Sequence, residues 1–155
     1  MAGFTVDYSK ASSNYNVPDG EYEAVITGAA WDKTAGGKEY IKIRLQVRND
    51  VTQPEKGEII EYPLWKSRPE NAKATDISGV PAWRVQQVSK AVKLPEGEYI
   101  DGIDGWFRLI QGRPVLVTTR QDDQGRAKVS KVEESRFPQV AAAGFVAVDD
   151  EPLPF

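Results

Sequence analysis

The chain contains no cysteine and no histidine. Without cysteine it has no disulfide and no thiolate metal site. Without histidine it lacks the usual general base, the usual zinc ligand and every Ser–His or Cys–His nucleophile arrangement. No apolar run approaches the roughly 18 residues that a membrane span needs, and the N-terminus shows no signal-peptide pattern. The lack of thiols is silent about redox compartment. What remains is a chain of 155 residues, 40% hydrophobic and 28% charged. That is the composition of a soluble globular protein, with enough chain for a single core.

Charge is unevenly spread. The chain carries 20 Lys+Arg and 23 Asp+Glu, for a net charge of -3. Asp149, Asp150 and Glu151 lie in the last seven residues, which hold no Lys or Arg. The remainder is formally neutral, so the acidic pI of about 5.1 understates the cationic character of the body. A nucleic-acid partner is therefore not excluded by net charge.

Residues 1–20 read as a polar lead-in ending in the turn signal Pro18-Asp19-Gly20. Glu21–Ala30 reads as a first strand, with Tyr22, Ala24 and Ile26 on one face and Gly28 marking a bulge or bend. Gly36-Gly37 supplies a turn. The clearest strand is Lys38–Arg48, where Ile41, Ile43, Leu45 and Val47 alternate with Tyr40, Lys42, Arg44, Gln46 and Arg48. Strict period-2 alternation sends the first set into a core and the second onto an open face. Glu58–Trp65 reads as a third strand, which Pro63 limits to an edge or an early finish. Lys66–Val80 reads as a polar, mobile loop. Pro81–Leu94 reads as a helix with Trp83 in its apolar stripe, and Asp104–Ile110 as a short second helix capped by Asp104. Pro114–Arg120 and Arg126–Val132 read as a closing hairpin. No internal repeat is visible.

Three strands, a helical segment and two strands predict a mainly β fold, a five-stranded OB-fold-like barrel with a helical insertion between strands three and four. The predicted domain spans residues 1–137, and 138–155 form a flexible acidic C-terminal tail. Such barrels bind oligonucleotides on the face of strands two and three, but a fold alone assigns no function.

The outward residues of the second strand suggest chemistry. Alternate residues on a strand lie roughly 7 Å apart, comparable to successive nucleotides in an extended strand. Lys42, Arg44 and Arg48 would neutralise phosphates while Tyr40 offers a stacking plane, a combination that binds single strands without reading sequence. Trp31 and Trp65 share parity with the outward sides of the first and third strands. Lys66, Arg68 and, on the hairpin, Arg126 and Lys128 add charge. The bland alternatives stay open: a charged alternate face is also what any solvated strand presents, and tryptophans of this kind also plug cores. Trp83 and Trp106, in helical contexts, are expected in the core.

The tail ends Asp149-Asp150-Glu151-Pro152-Leu153-Pro154-Phe155. Acids suit a basic rim, Leu153 and Phe155 suit a small apolar pocket, and the prolines limit the entropy lost on docking. An acidic solubilising end is the alternative, but it leaves Phe155 unexplained. This ending resembles the acidic tip of bacterial single-stranded DNA-binding proteins, in which a run of acids precedes an apolar residue and Pro-Phe. The resemblance implies that Asp149, Asp150, Glu151, Leu153, Pro154 and Phe155 recruit replication, repair and recombination proteins; Pro152 departs from the pattern.

The body carries Phe4-Thr5-Val6-Asp7-Tyr8-Ser9, Pro18-Asp19-Gly20-Glu21-Tyr22, Val47-Arg48-Asn49-Asp50, Leu64-Trp65-Lys66 and Gly112-Arg113-Pro114-Val115. Over roughly Phe4 to Val132 it resembles a family of small early bacteriophage proteins, long described as a domain of unknown function and often found near recombination and replication genes. That resemblance implies a non-catalytic phage protein of the bacterial host cytoplasm that coats and protects single-stranded DNA in replication, repair and recombination. No cofactor, metal or membrane partner is expected, and unpaired strand edges leave a homo-oligomer open. The rival readings are a decoy module that occupies host pockets without binding nucleic acid, and a strand-annealing recombination protein. An enzyme fits least: Asp101, Asp104, Asp122 and Asp123 fall beside turns or helix starts, where capping explains them, and no phosphate-cradling loop is present.

Overall fold

The computed structural model describes residue 6 and residues 17–138. Five strands, β1 (Gly20–Lys33), β2 (Glu39–Val47), β3 (Ile59–Trp65), β4 (Pro114–Gln121) and β5 (Ala127–Glu134), form one antiparallel sheet in the order β3-β2-β1-β4-β5. Two helices, α1 (Ala82–Ala91) and α2 (Ile103–Ile110), lie between β3 and β4 in sequence. The mainly β composition, the five strands and the place of the helical segment agree with the sequence reading.

The closed barrel does not. The sheet is open, with β3 and β5 as its edges. These edges curl toward each other without pairing. Pro63 can donate no amide from β3, and the charged side chains Arg126 and Lys128 accompany the opposing edge, a combination that discourages a further ladder.

The alternation of β2 organises the interior. Ile41, Ile43, Leu45 and Val47 are buried, joined across the register by Ile60, Tyr62 and Leu64 of β3 and by Ala24 and Ile26 of β1. Val115 and Val117 of β4 and Val132 of β5 continue the same face. The helices cover it: α1 buries Val85, Val88 and Ala91, and α2 buries Trp106, Phe107 and Ile110. α1 packs against β5 and α2 against β1. The indole N–H of Trp106 donates to Ser89 Oγ at 2.8 Å, tying α2 to α1.

Local details correct the sequence reading. α2 begins one residue before Asp104, with Gly102 at its N-cap and no side-chain cap. Gly102 has φ +86°, a backbone conformation open to glycine, and Asp104 acts in the first turn, where a negative charge suits the helix dipole. Trp83 is 59% exposed and outside the core. Between β1 and β2 the chain reverses at Gly36-Gly37 as expected. Gly37 has φ +88°, and Thr34 Oγ1 accepts the Lys38 amide at 3.1 Å.

One irregularity has larger consequences. The β1–β2 register shifts between Ile26 and Gly28, which oppose Leu45 and Arg44 respectively. Thr27 is the extra residue of a β-bulge, and its hydroxyl donates to the Arg44 carbonyl at 3.2 Å. Before the bulge the even-numbered residues of β1 face the core. After it the odd-numbered ones do: Ala29 opposes Ile43 and Trp31 opposes Ile41.

Candidate functional site

On the face of β2 turned away from the core stand Tyr40, Lys42, Arg44 and Gln46, half-buried except for the exposed Arg44. The register extends this face sideways. Tyr40 lies between Asp32 of β1 and Trp65 of β3, Lys42 between Ala30 and Pro63, and Arg44 between Gly28 and Glu61. Directly opposed residues on one sheet face are side-chain neighbours, so β2 supplies the middle of a three-strand track.

The rings of Tyr40 and Trp65 meet with centroids 4.5 Å apart at an interplanar angle of 43°. Lys38, in the turn before β2, holds its ammonium 4.7 Å from the Trp65 centroid. An exposed cation–π contact contributes about 0.5–1 kcal/mol, whereas a stacked base contributes about 1–3 kcal/mol. Stacking on this pair therefore outweighs the lysine contact.

Asp32 organises the neighbouring charges. Its Oδ2 lies 2.9 Å from Lys42 Nζ and accepts the Tyr40 hydroxyl at 3.4 Å. The hydrogen bond from Lys42, followed by one from the Lys33 amide, holds the Asp32 carboxyl below the usual carboxylate range. The same Lys42–Asp32 bond raises the ammonium of Lys42. Desolvation first, and then the Asp32 charge, push the Tyr40 phenol up. Near neutral pH Lys42 is thus cationic, Tyr40 neutral and Asp32 a carboxylate. The Lys42–Asp32 pair is a surface contact, weakly held and open to exchange for another anion.

An open groove of about 750 Å³ runs beside this track, lined by residues of β2, β3 and β5. Tyr40, Lys42, Arg44 and Trp65 line it together with Arg126 and Lys128 from the β4–β5 hairpin and Arg84 from α1. Five cations thus meet two carboxylates, Glu58 and Glu61. Lys128 also stands directly opposite Arg120 in the β4–β5 register. Like charges facing each other across a ladder are unfavourable by themselves, and a bound anion relieves the repulsion. Asp122 offsets part of this charge. Its carboxylate accepts Arg126 Nε at 3.2 Å, lies 4.0 Å from Lys128 Nζ and also takes the amides of Gln124 and Arg126. The Arg126 amide is the main cause that holds the Asp122 carboxyl low.

The structure therefore brings together Tyr40, Lys42, Arg44, Trp65, Arg126 and Lys128 of the residues the sequence singled out. Arg68 is exposed at the entry to a single 3-10 turn, Pro69–Asn71, and does not line the groove. Three residues require correction.

Arg48 is 1% exposed and sits beyond the last residue of β2, where strand parity no longer applies. Its guanidinium grips Asp50 with two bonds of 2.9 and 2.8 Å and donates to the Phe137 carbonyl at 2.6 Å. It lies 3.7 Å from Glu23, which itself accepts the Ser135 hydroxyl. Arg48 is thus a buried staple holding the chain after β5 against β1 and β2, with no access to a ligand.

Trp31 and Lys66 belong to the other side of the sheet. The Thr27 bulge moves Trp31 to the core-side face, where its ring packs edge-on to Phe107 at 6.4 Å. Lys66 Nζ lies 5.0 Å from the Trp31 ring and 2.6 Å from Glu39 Oε1. Glu39 shares the parity of Ile41, so this cluster faces away from Tyr40.

Two residues escaped sequence reading: Lys38, which meets the Trp65 ring, and Arg84, which lines the groove. Lys38 has the parity of Tyr40, two residues earlier, a signal that was available. Arg84 had no such signal, because nothing in the helix pattern relates α1 to β3. The tail residues Asp149, Asp150, Glu151, Leu153, Pro154 and Phe155 lie outside the described residues. Asp101, Asp104, Asp122 and Asp123 do not gather: among the described residues no group of three or more acidic side chains is placed to hold a metal ion. No helix among them is long and apolar enough to cross a membrane.

A family model described as "Protein of unknown function (DUF669)" matches residues 4–151 of the chain. Comparison with curated proteins gives no match.

Proposed function

The chain belongs to the DUF669 family, and we propose that it is a non-catalytic module that binds single-stranded DNA in the groove beside β2 and β3. One observation carries this reading: an aromatic pair, Tyr40 and Trp65, borders the same groove as five cations drawn from β2, α1 and the β4–β5 hairpin. Rings serve the bases and cations the phosphates, without base-edge readout. The run from Tyr40 to Arg44 extends about 13 Å, two internucleotide steps of roughly 7 Å and so a track for about three extended nucleotides.

The fold fits the same reading. We read the order β3-β2-β1-β4-β5, with the edges β3 and β5 approaching each other, as a five-stranded OB barrel parted along one seam, and this supports the proposal. Oligonucleotides lie on the second and third strands of that fold and against its first and last hairpin loops. Here those loops carry Lys38 and Arg126. The setting proposed is phage replication and recombination in the bacterial host cytoplasm, with the acidic tip, ending in Leu153-Pro154-Phe155, bringing partner proteins to the coated strand.

Titration with poly-dT over a salt series, followed by tryptophan fluorescence, tests the proposal. Trp65 emission should be quenched on stacking. Affinity should fall with a log–log slope of about −0.7 for each phosphate contacted. Tyr40→Ala and Arg44→Ala should each weaken binding. Absence of quenching and of salt-dependent binding refutes the proposal; silent Tyr40 and Arg44 variants in a protein that does bind move the site elsewhere.

A further inference from the structure

We propose that Trp83 is a second stacking platform, which carries the single strand off the sheet and onto the first turn of α1. This inference rests on the single-stranded DNA reading and extends its site. α1 turns Val85, Val88 and Ala91 inward, and Trp83, two residues before Val85 and so about 200° away around the helix, points elsewhere. It is 59% exposed. It lies outside the stripe that packs the helix and turns more than half of its surface to solvent.

Arg84 links this ring to the groove. Its guanidinium carbon lies 4.5 Å from the Trp83 ring centroid. The same side chain lines the groove, as Tyr62 does. An aromatic plane, an adjoining cation and a continuous path back to Lys42 and Arg44 repeat off the sheet the chemistry of the Tyr40–Trp65 pair. Arg84 would meet the phosphate between a base on the sheet and a base on Trp83. The ligand is therefore an unpaired polynucleotide longer than the sheet track alone accommodates.

The test uses the full chain and end-labelled oligo-dT of increasing length, read by fluorescence anisotropy at low salt. Trp83→Ala and Trp83→Phe are compared with the unsubstituted protein, and thermal melting confirms that both variants fold. Oligomers of about three nucleotides, which fill only the sheet track, should bind all three proteins alike. Longer oligomers should bind more tightly to the unsubstituted protein, with Trp83→Ala losing about 5- to 100-fold and Trp83→Phe recovering most of the loss. Equal binding of every length by Trp83→Ala, while Tyr40→Ala and Arg44→Ala bind weakly, overturns the second platform and leaves the groove reading intact. Failure of the unsubstituted protein to bind oligo-dT of any length overturns both.

Discussion

Arg48 and Arg44 occupy the same parity in the sequence, four residues apart, and the structure gives them opposite surroundings, the first buried and the second exposed. Replacing Arg48 by Ala removes two bonds to Asp50 and one to the Phe137 carbonyl, all from a guanidinium that is 1% exposed. The carboxylates of Asp50 and Glu23, only 9% and 5% exposed, lose this guanidinium. Removing one member of a buried ion pair costs about 3–5 kcal/mol, a large share of the roughly 5–15 kcal/mol that holds a domain together. At about 3–4 °C per kcal/mol for a domain of this size, melting should fall by roughly 10–20 °C. Arg48→Lys keeps the charge but not the fork and should fall part of the way. Arg44→Ala, at an exposed position, should stay within about 0.5 kcal/mol of the parent and yet flatten the salt dependence of poly-dT binding by about 0.7. Thermal melting and poly-dT titration, below the melting point of each variant, separate the two. An Arg48→Ala or Arg48→Lys protein that melts within a few degrees of the parent and binds poly-dT with a flattened salt slope would refute the buried-staple assignment.

Two further outcomes are expected. Asp32→Asn should tighten poly-dT binding and steepen its salt slope by about 0.7, one phosphate contact, because it frees Lys42 from a competing carboxylate; an unchanged slope counts against Lys42 as a contact. Since the Lys42 bond holds the Asp32 carboxyl below its ordinary range, Asp32 stays ionised as pH falls to 5, and mild acidification should not mimic the substitution. Trp31→Ala should lower stability by about 1–3 kcal/mol through its lost packing on Phe107, leaving poly-dT affinity unchanged; a loss of affinity without a loss of stability would return Trp31 to the binding face.

The period-2 pattern of β2 is strong enough to be read without a structure, because each apolar residue from Ile41 to Val47 must enter the same core and a slip of one residue would expose all of them. That pattern also exposes Tyr40, Lys42 and Arg44 on one face, and parity alone places Trp65 beside them. Pro63 marks an edge strand for the same elementary reason, its missing amide. These are local properties, set by the two-residue repeat of an extended chain.

The remainder depends on distances in space that no local repeat contains. The extra residue at Thr27 inverts the parity of everything after it in β1, so Trp31 and Tyr40 end on opposite faces although counting from Tyr22 places them together. Arg48 leaves the alternation because β2 stops at Val47, and Ser135, 87 residues later, arrives to bury it. The groove exists because the sheet curls and brings Arg126 and Lys128 toward β3, with α1 setting Arg84 beside them. A strand's sequence chooses which side chains share a face; only the bulge, the strand end and the curl of the sheet decide what that face meets.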